Sequence, residues 1–153
     1  MFLLEVARAL REGGVTFAIA GGYAVALHGA VRGTVDVDVV LELTEENYVA
    51  AERALVGLGL SPRLPVTGHE VFRFRREYIE NRNLIAWSFC DPSDPTRLVD
   101  IIITFEEAMV PVEEVTVQGE PVPVLAKAAL IAMKEATGRA QDTADVDALR
   151  RLP

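Results

Sequence analysis

Along the chain the apolar positions switch between a helical spacing and strand-like runs, and most switches fall at glycines. Phe2, Leu3, Val6, Ala7 and Leu10 recur every three to four residues, which predicts a helix stopped by Gly13-Gly14. Val15 to Ala20 is a short apolar run suited to a buried strand, and Gly21-Gly22 predicts a tight turn from that strand into a helix over Tyr23–Ala30. Gly29 and Gly33 bracket the exit of that helix, and Val35–Leu43 predicts a second buried strand. Thr44 is placed as the N-cap of a helix running to about Leu58 and ended by Gly57 and Gly59. Ser61–Gly68, with two prolines, predicts a loop. His69–Arg82 carries two patterns: Phe72, Arg76 and Ile79 have helical spacing, while Val71–Arg75 alternates like a strand; one helix is the reading adopted. Leu84–Phe89 and Leu98–Thr104 predict a hairpin-like strand pair around the turn-rich Asp91–Pro95, and Phe105–Met109 one helical turn. Val112–Gln118 and Pro121–Val124 flank Gly119-Glu120 as a small hairpin. Leu125–Thr137, ended by Gly138, and Thr143–Arg151 predict the last two helices. The expected architecture is one α/β (α+β) domain over residues 1–153, with a mixed central sheet of four to five strands flanked by helices.

Composition narrows the chemistry. With 153 residues, half of them hydrophobic, the chain is long enough for one real core. The net charge of −8 argues against broad adhesion to nucleic acid or to an anionic membrane, although a local basic patch remains compatible with it. Cys90 is the only cysteine, so an intrachain disulfide and a cysteine-based metal site are both excluded, and a reducing, cytoplasmic setting is expected. Two histidines argue against a His-rich zinc site. Met1–Leu10 is apolar but is broken by Glu5 and Arg8, unlike a signal peptide, and no run of about 18 apolar residues exists to span a membrane.

The strand from Val35 carries the strongest chemical signal. Asp36 and Asp38 are its two charged residues before Glu42, and alternation puts both carboxylates on one face, about 7 Å apart at the backbone. Two like charges on an otherwise buried strand are unfavourable unless something positive lies between them. A divalent metal answers that requirement, because hard cations take carboxylate oxygens.

In order along the chain, Gly21-Gly22 after a strand, His28-Gly29, Arg32, Thr34 and Asp36-Val37-Asp38 resemble the signature of the nucleotidyltransferase fold. The similarity is greatest to small bacterial nucleotidyltransferases of the abortive-infection toxin type, found in toxin–antitoxin pairs. That family has a third carboxylate on a later strand, and Asp100 in Leu98-Val99-Asp100-Ile101-Ile102 fits this role. It also has a late lysine followed by aspartate, which Lys134, Asp142 and Asp145 resemble. The matches span Ile19 to Leu149. Two features depart from the pattern: many transferases have Gly-Ser where this chain has Gly21-Gly22-Tyr23, and larger relatives add a helical substrate domain after the motif helices.

The resemblance implies an Mg²⁺-dependent enzyme that moves a nucleoside monophosphate from an NTP to an acceptor hydroxyl on a tRNA end or a protein. Asp36, Asp38 and Asp100 would hold two Mg²⁺ ions roughly 4 Å apart. Asp100 would serve as general base and Lys134 as a cation for the triphosphate. Gly21, Gly22, Arg32, Thr34 and Asp142 would line the nucleotide, the glycines by letting the backbone approach phosphate. A toxin role with an antitoxin partner, in the cytoplasm and away from membranes, belongs to the same expectation. Two other classes stay open: a non-catalytic nucleotide-binding or interaction module that keeps the fold, and a regulator whose acidic face docks a basic partner.

Simpler readings stand beside several of these residues. His28 on a helix of small residues reads as a structural hydrogen-bonder. Arg32 is either a loop salt bridge or a phosphate contact, and Lys134 either snorkels or binds phosphate. Asp142 reads as a supporting residue or an N-cap, and Asp145 as helix surface. Arg73, Arg75, Arg76 and Arg82, interleaved with Phe72, Phe74 and Tyr78, could grip nucleic acid, but an amphipathic helix with a solvated arginine face is the favoured reading. Cys90 and Trp87 are expected in the core.

Overall fold

A computed structural model describes residues 1–107 and 109–153. Helix α1 (Phe2–Glu12) leads through Gly13-Gly14 into strand β1 (Phe17–Ala20). Helix α2 (Gly21–Leu27) starts at the first glycine of the turn, and strand β2 (Val37–Leu41) follows a long connection. Helix α3 (Glu45–Gly57) is capped as expected, the Thr44 side chain accepting the Asn47 N–H. Strand β3 (Ser61–Pro62), helices α4 (Gly68–Arg73) and α5 (Arg75–Arg82), and strands β4 (Ala86–Asp91) and β5 (Asp94–Ile102) come next. The hairpin β6 (Val112–Val117) and β7 (Glu120–Leu125) precedes helices α6 (Lys127–Thr137) and α7 (Ala140–Arg151).

The strands form one mixed sheet ordered β3-β4-β5-β2-β1-β7-β6. β1 runs antiparallel to β2 and parallel to β7, while β2 runs parallel to β5. Among the described residues the sheet has seven strands rather than the expected four to five. The terminal hairpin joins it through Ile19↔Val124, and two residues of the expected Ser61–Gly68 loop pair with β4 as an edge. Such pairings are long-range, so local periodicity carries no trace of them.

Other differences from the sequence reading are local. The expected His69–Arg82 helix is broken at Phe74, and directly after the break the Arg75 side chain turns inward and donates to the Ile103 carbonyl at 2.6 Å. A Thr67–Glu70 capping box starts α4, and Asn83, at φ 52°, ends α5. β5 begins at Asp94 because the 91–95 turn pairs with itself, and α7 starts three residues before Thr143. The helical turn expected over Phe105–Met109 includes Ala108, which lies outside the described residues; 105–107 and 109 are not helical.

The two faces of the sheet differ sharply in character. On one, Val37, Val39, Trp87, Phe89, Val99 and Ile101 lie in register and are fully buried, with Tyr48 of α3 stacked on Trp87 at 6.1 Å between ring centroids. On the other, Asp38, Ser88, Asp100 and Ile102 are only partly covered. Alternation along β2, β4 and β5 therefore places a hydrophobic core on one side and candidate chemistry on the other. Among the described residues no helix is long and apolar enough to cross a membrane.

Asn47 fastens the core at one edge. Its buried side chain accepts the Thr16 N–H at 2.8 Å and donates to the carbonyls of Thr16 at 2.7 Å and Glu42 at 3.0 Å, tying α3 to the ends of β1 and β2. Asn47→Ala leaves the buried Thr16 N–H without a partner and removes one of the two hydrogen bonds to each of the Thr16 and Glu42 carbonyls. It is expected to lower stability by about 2–3 kcal/mol, measured as a shift of the urea unfolding midpoint.

Candidate functional site

Four residues line up across the open face at one level. Ala20 of β1 pairs with Asp38 of β2, Asp38 with Asp100 of β5, and Asp100 with Ser88 of β4. The Asp38–Asp100 step is a parallel pairing between strands about 60 residues apart in sequence, and it makes two carboxylates direct neighbours on one face. Ser88 donates to Asp100 Oδ1 at 2.5 Å.

Gly21 closes the other side of Asp38. A Cβ on Gly21 would overlap the Asp38 carboxylate, with even Asp38 Cγ only 2.7 Å away, and its φ of +63° also favours glycine. A Cβ on Gly22 would lie 2.8 Å from Thr34, whose hydroxyl donates to the Asp36 carbonyl at 3.4 Å. The turn, Thr34 and the aspartate strand are thus fitted to one another. Asp36 stands one residue before β2, in an exposed bend, whereas Asp38 is half-buried within the strand.

The local electrostatics single out Asp38. Burial, followed by the nearby charges of Asp100 and Asp36, pushes its carboxyl up to about 7, against a smaller opposing pull from Lys134 and Arg139. Those two cations are already engaged. Lys134 is buried and lies 2.9 Å from Asp145 and 3.6 Å from Asp142, and Arg139 Nε donates to Asp142 at 2.8 Å. Burial would raise Asp142, but hydrogen bonds from Arg139 and Thr137 and the charges of Arg139 and Lys134 hold it down at about 2. Burial acts upward on Asp145 as well; hydrogen bonds from Lys134 and Gln141, with the charges of Lys134 and Arg32, carry it below the usual carboxylate range.

Arg32 donates to Asp145 at 3.1 Å and to the Gly33 carbonyl at 2.5 Å, so it is a salt bridge between the loop before β2 and α7. His28 is the structural hydrogen-bonder anticipated, 2.8 Å from the Leu125 carbonyl and 3.5 Å from Glu113. A cavity of about 470 Å³ opens between Gly21, Asp38 and α6, with Ile85, Ile102, Leu130 and Met133 as apolar lining and Lys134, Arg139 and Asp142 at its charged side.

The structure brings together Gly21, Asp38 and Asp100 on the sheet, and Lys134 with Asp142 beyond the cavity; Arg32 points to Asp145. Asp145 itself corrects the sequence reading, for it is 2% exposed rather than helix surface. The signal for this was present: Asp142, Asp145, Val146 and Leu149 are spaced i, i+3, i+4, i+7, the buried stripe of a helix. Arg75, expected on a solvated face, is buried, and Cys90, expected in the core, is half-exposed on the site face. Trp87 is fully buried as expected.

The carboxylates present fit a hard divalent cation. They offer only oxygen donors, and among the described residues no lysine or arginine is paired with Asp38 or Asp100. No three metal-binding side chains converge among the described residues.

Sequence comparison finds no matching family model and no matching curated protein. Solved structures do match the fold. A lincomycin-bound lincosamide antibiotic adenylyltransferase, LnuA, superposes with a TM-score of 0.63 at 14% identity, covering 99% of this chain and 96% of that one. The antibiotic-resistance factor ANT(2'')-Ia superposes with a TM-score of 0.64 at 15% identity, over 97% and 79% of the two chains. TM1012 of Thermotoga maritima, a proposed nucleotidyltransferase, gives 0.61 at 16% identity over 95% and 88%. The chain therefore has a nucleotidyltransferase-like fold.

Two consequences are measurable. Because folding raises the Asp38 pKa, this residue favours the folded state fully below about pH 4, and that contribution is lost as pH rises through about 7. Asp38→Asn is expected to raise the melting temperature of metal-free protein at pH 8 and to give progressively less gain toward pH 4, followed by thermal unfolding across that range. Lys134→Ala removes the ammonium that faces the buried Asp142 and Asp145, which keep Arg139 and Arg32 as partners, and is expected to cost about 1.5–3 kcal/mol, read from denaturant unfolding.

Proposed function

We propose that this chain is an Mg²⁺-dependent nucleotidyltransferase that transfers a nucleoside monophosphate from an NTP to an acceptor hydroxyl. The observation that carries the reading is the pair Asp38 and Asp100, side by side on parallel strands and bordered by the Gly21-Gly22 turn. Asp38 and Asp100, with Asp36 at the strand entry, would hold the metal, two ions by family resemblance. When bound, the metal neutralises triphosphate charge and makes the acceptor hydroxyl more acidic.

The remaining chemistry belongs to the chain. Gly21 and Gly22 present no side chain toward the phosphates, with Thr34 behind them. Asp100 accepts the proton of the acceptor hydroxyl as its oxygen bonds to the α-phosphorus; the bond from that phosphorus to the bridging oxygen breaks and pyrophosphate leaves. The cavity receives the nucleotide, its apolar lining against the nucleoside and Lys134 and Arg139 on the charged side. Asp142 and Asp145 keep Lys134 in place, and Arg32 acts through Asp145 on the loop that carries Thr34 and Asp36.

Family resemblance offers a tRNA end or a protein hydroxyl as acceptor. The net charge of −8, and the inward turn of Arg75 out of the one basic cluster, favour the protein. The name of the lincomycin-bound adenylyltransferase adds a small-molecule hydroxyl. The toxin resemblance makes an antitoxin chain the partner to seek. A second reading, a nucleotide-binding module without catalysis, is favoured by one observation: Lys134 is already matched by two carboxylates and so brings little free charge to a triphosphate.

Calorimetric titration of Mg²⁺ and each NTP into the wild type and an Asp36→Asn/Asp38→Asn variant tests the proposal. Metal-dependent NTP binding is expected in the wild type and its loss in the variant. Absence of binding in both sinks the transferase reading, and metal-independent binding in both supports the module.

A further inference from the structure

Ser88 stands where the row of site residues ends. The site face of β4 is otherwise built from small apolar or weakly polar side chains, Ala86 and Cys90, while the opposite face of the strand carries the fully buried Trp87 and Phe89. A hydroxyl has no packing task on this half-open face. It has one specific partner: Ser88 and Asp100 are directly paired across antiparallel strands, and the Ser88 hydroxyl donates to Asp100 Oδ1 at 2.5 Å. That length is typical of a charge-assisted O–H···O⁻ bond. Among the described residues Asp100 Oδ2 carries no hydrogen bond, so only one oxygen of this carboxylate has an internal partner.

We propose that Ser88 is a positioning residue for Asp100: it holds Oδ1 so that Oδ2 is presented toward the ion and the acceptor hydroxyl. The inference rests on the reading of Asp38 and Asp100 as the ion-holding pair. Both members stand on central parts of strands rather than on loops, and a hydrogen bond between rigid elements fixes a ligand's orientation more tightly than its own torsions do. Without the serine hydroxyl, Asp100 is free to rotate away from Asp38 to relieve the repulsion between the two charges. Ser88 thus counteracts the electrostatic disorder that the parallel β2–β5 pairing creates.

The test uses the full chain and Mn²⁺ as the probe, with binding followed by electron paramagnetic resonance. Five proteins are compared: wild type, Ser88→Ala, Ser88→Thr, Cys90→Ala and Asp100→Asn. Ser88→Ala is expected to weaken Mn²⁺ binding by about 10-fold, the lower end for loss of a residue that orients a metal ligand. Ser88→Thr, which keeps the hydroxyl on a strand-favouring side chain, is expected to restore it. Cys90→Ala, two residues along the same face, is expected to leave affinity unchanged, and Asp100→Asn to weaken it more than Ser88→Ala does. Wild-type affinity in Ser88→Ala, with loss in Asp100→Asn, overturns the role of Ser88 and leaves the site reading intact. Equal weakening in Ser88→Ala and Cys90→Ala also overturns it, as a general disturbance of β4. Unchanged binding in Asp100→Asn overturns both the site reading and this inference.

Discussion

Everything in the site depends on one unfavourable arrangement, two carboxylates placed side by side by a parallel strand pairing. The backbone positions of Asp38 and Asp100 cannot separate without breaking the β2–β5 register, and that register is fixed from behind by Val37 on Val99 and Val39 on Ile101 in the core. The hydrophobic face thus enforces the electrostatic strain on the polar one. Burial first, and then the neighbouring charges of Asp100 and Asp36, push the Asp38 carboxyl up. An arrangement held against its own repulsion is suited to a cation.

A second charge cluster sits across the cavity and is balanced internally. Asp142 and Asp145 face Lys134, with Arg139 and Arg32 completing the set. This cluster joins α6 to α7 and, through Arg32, joins α7 to the loop that leads into β2. The two clusters differ in charge balance. In one the acids are paired with bases and the acid pKa values fall; in the other burial, with acids as neighbours, raises the pKa of Asp38. The unbalanced cluster is the one that calls for an external partner.

Much of this was legible locally. Gly21-Gly22 signalled the turn, Thr44 the cap of α3, and Gly138 the end of α6, because each acts on its own few residues. The aspartates of the 35–43 segment and Asp100 stood out as charges in apolar runs. The break at Phe74 was not legible in the local pattern, and the Arg75 side chain beside it binds a carbonyl 28 residues away, which no local window contains. Asp145 was misread although its helical spacing with Val146 and Leu149 marked a buried stripe; a charged residue on such a stripe makes sense only once Lys134 is seen opposite.

The sequence by itself determined most element types, much of the apolar core, the Gly-Gly turn and the identity of the acidic residues, since each is written in local spacing and side-chain chemistry. Only the tertiary structure decided which carboxylates are neighbours. Asp36 and Asp38 are two residues apart in sequence, yet a direct cross-strand partner of Asp38 is Asp100, and one of Asp100 is Ser88. It also decided that Lys134 is matched rather than free, because α6 packs against α7, and that seven strands among the described residues share one sheet. For the carboxylates and the sheet the reason is the same: strand order and register are set by burial across the whole sheet, and no local window of the chain contains that information.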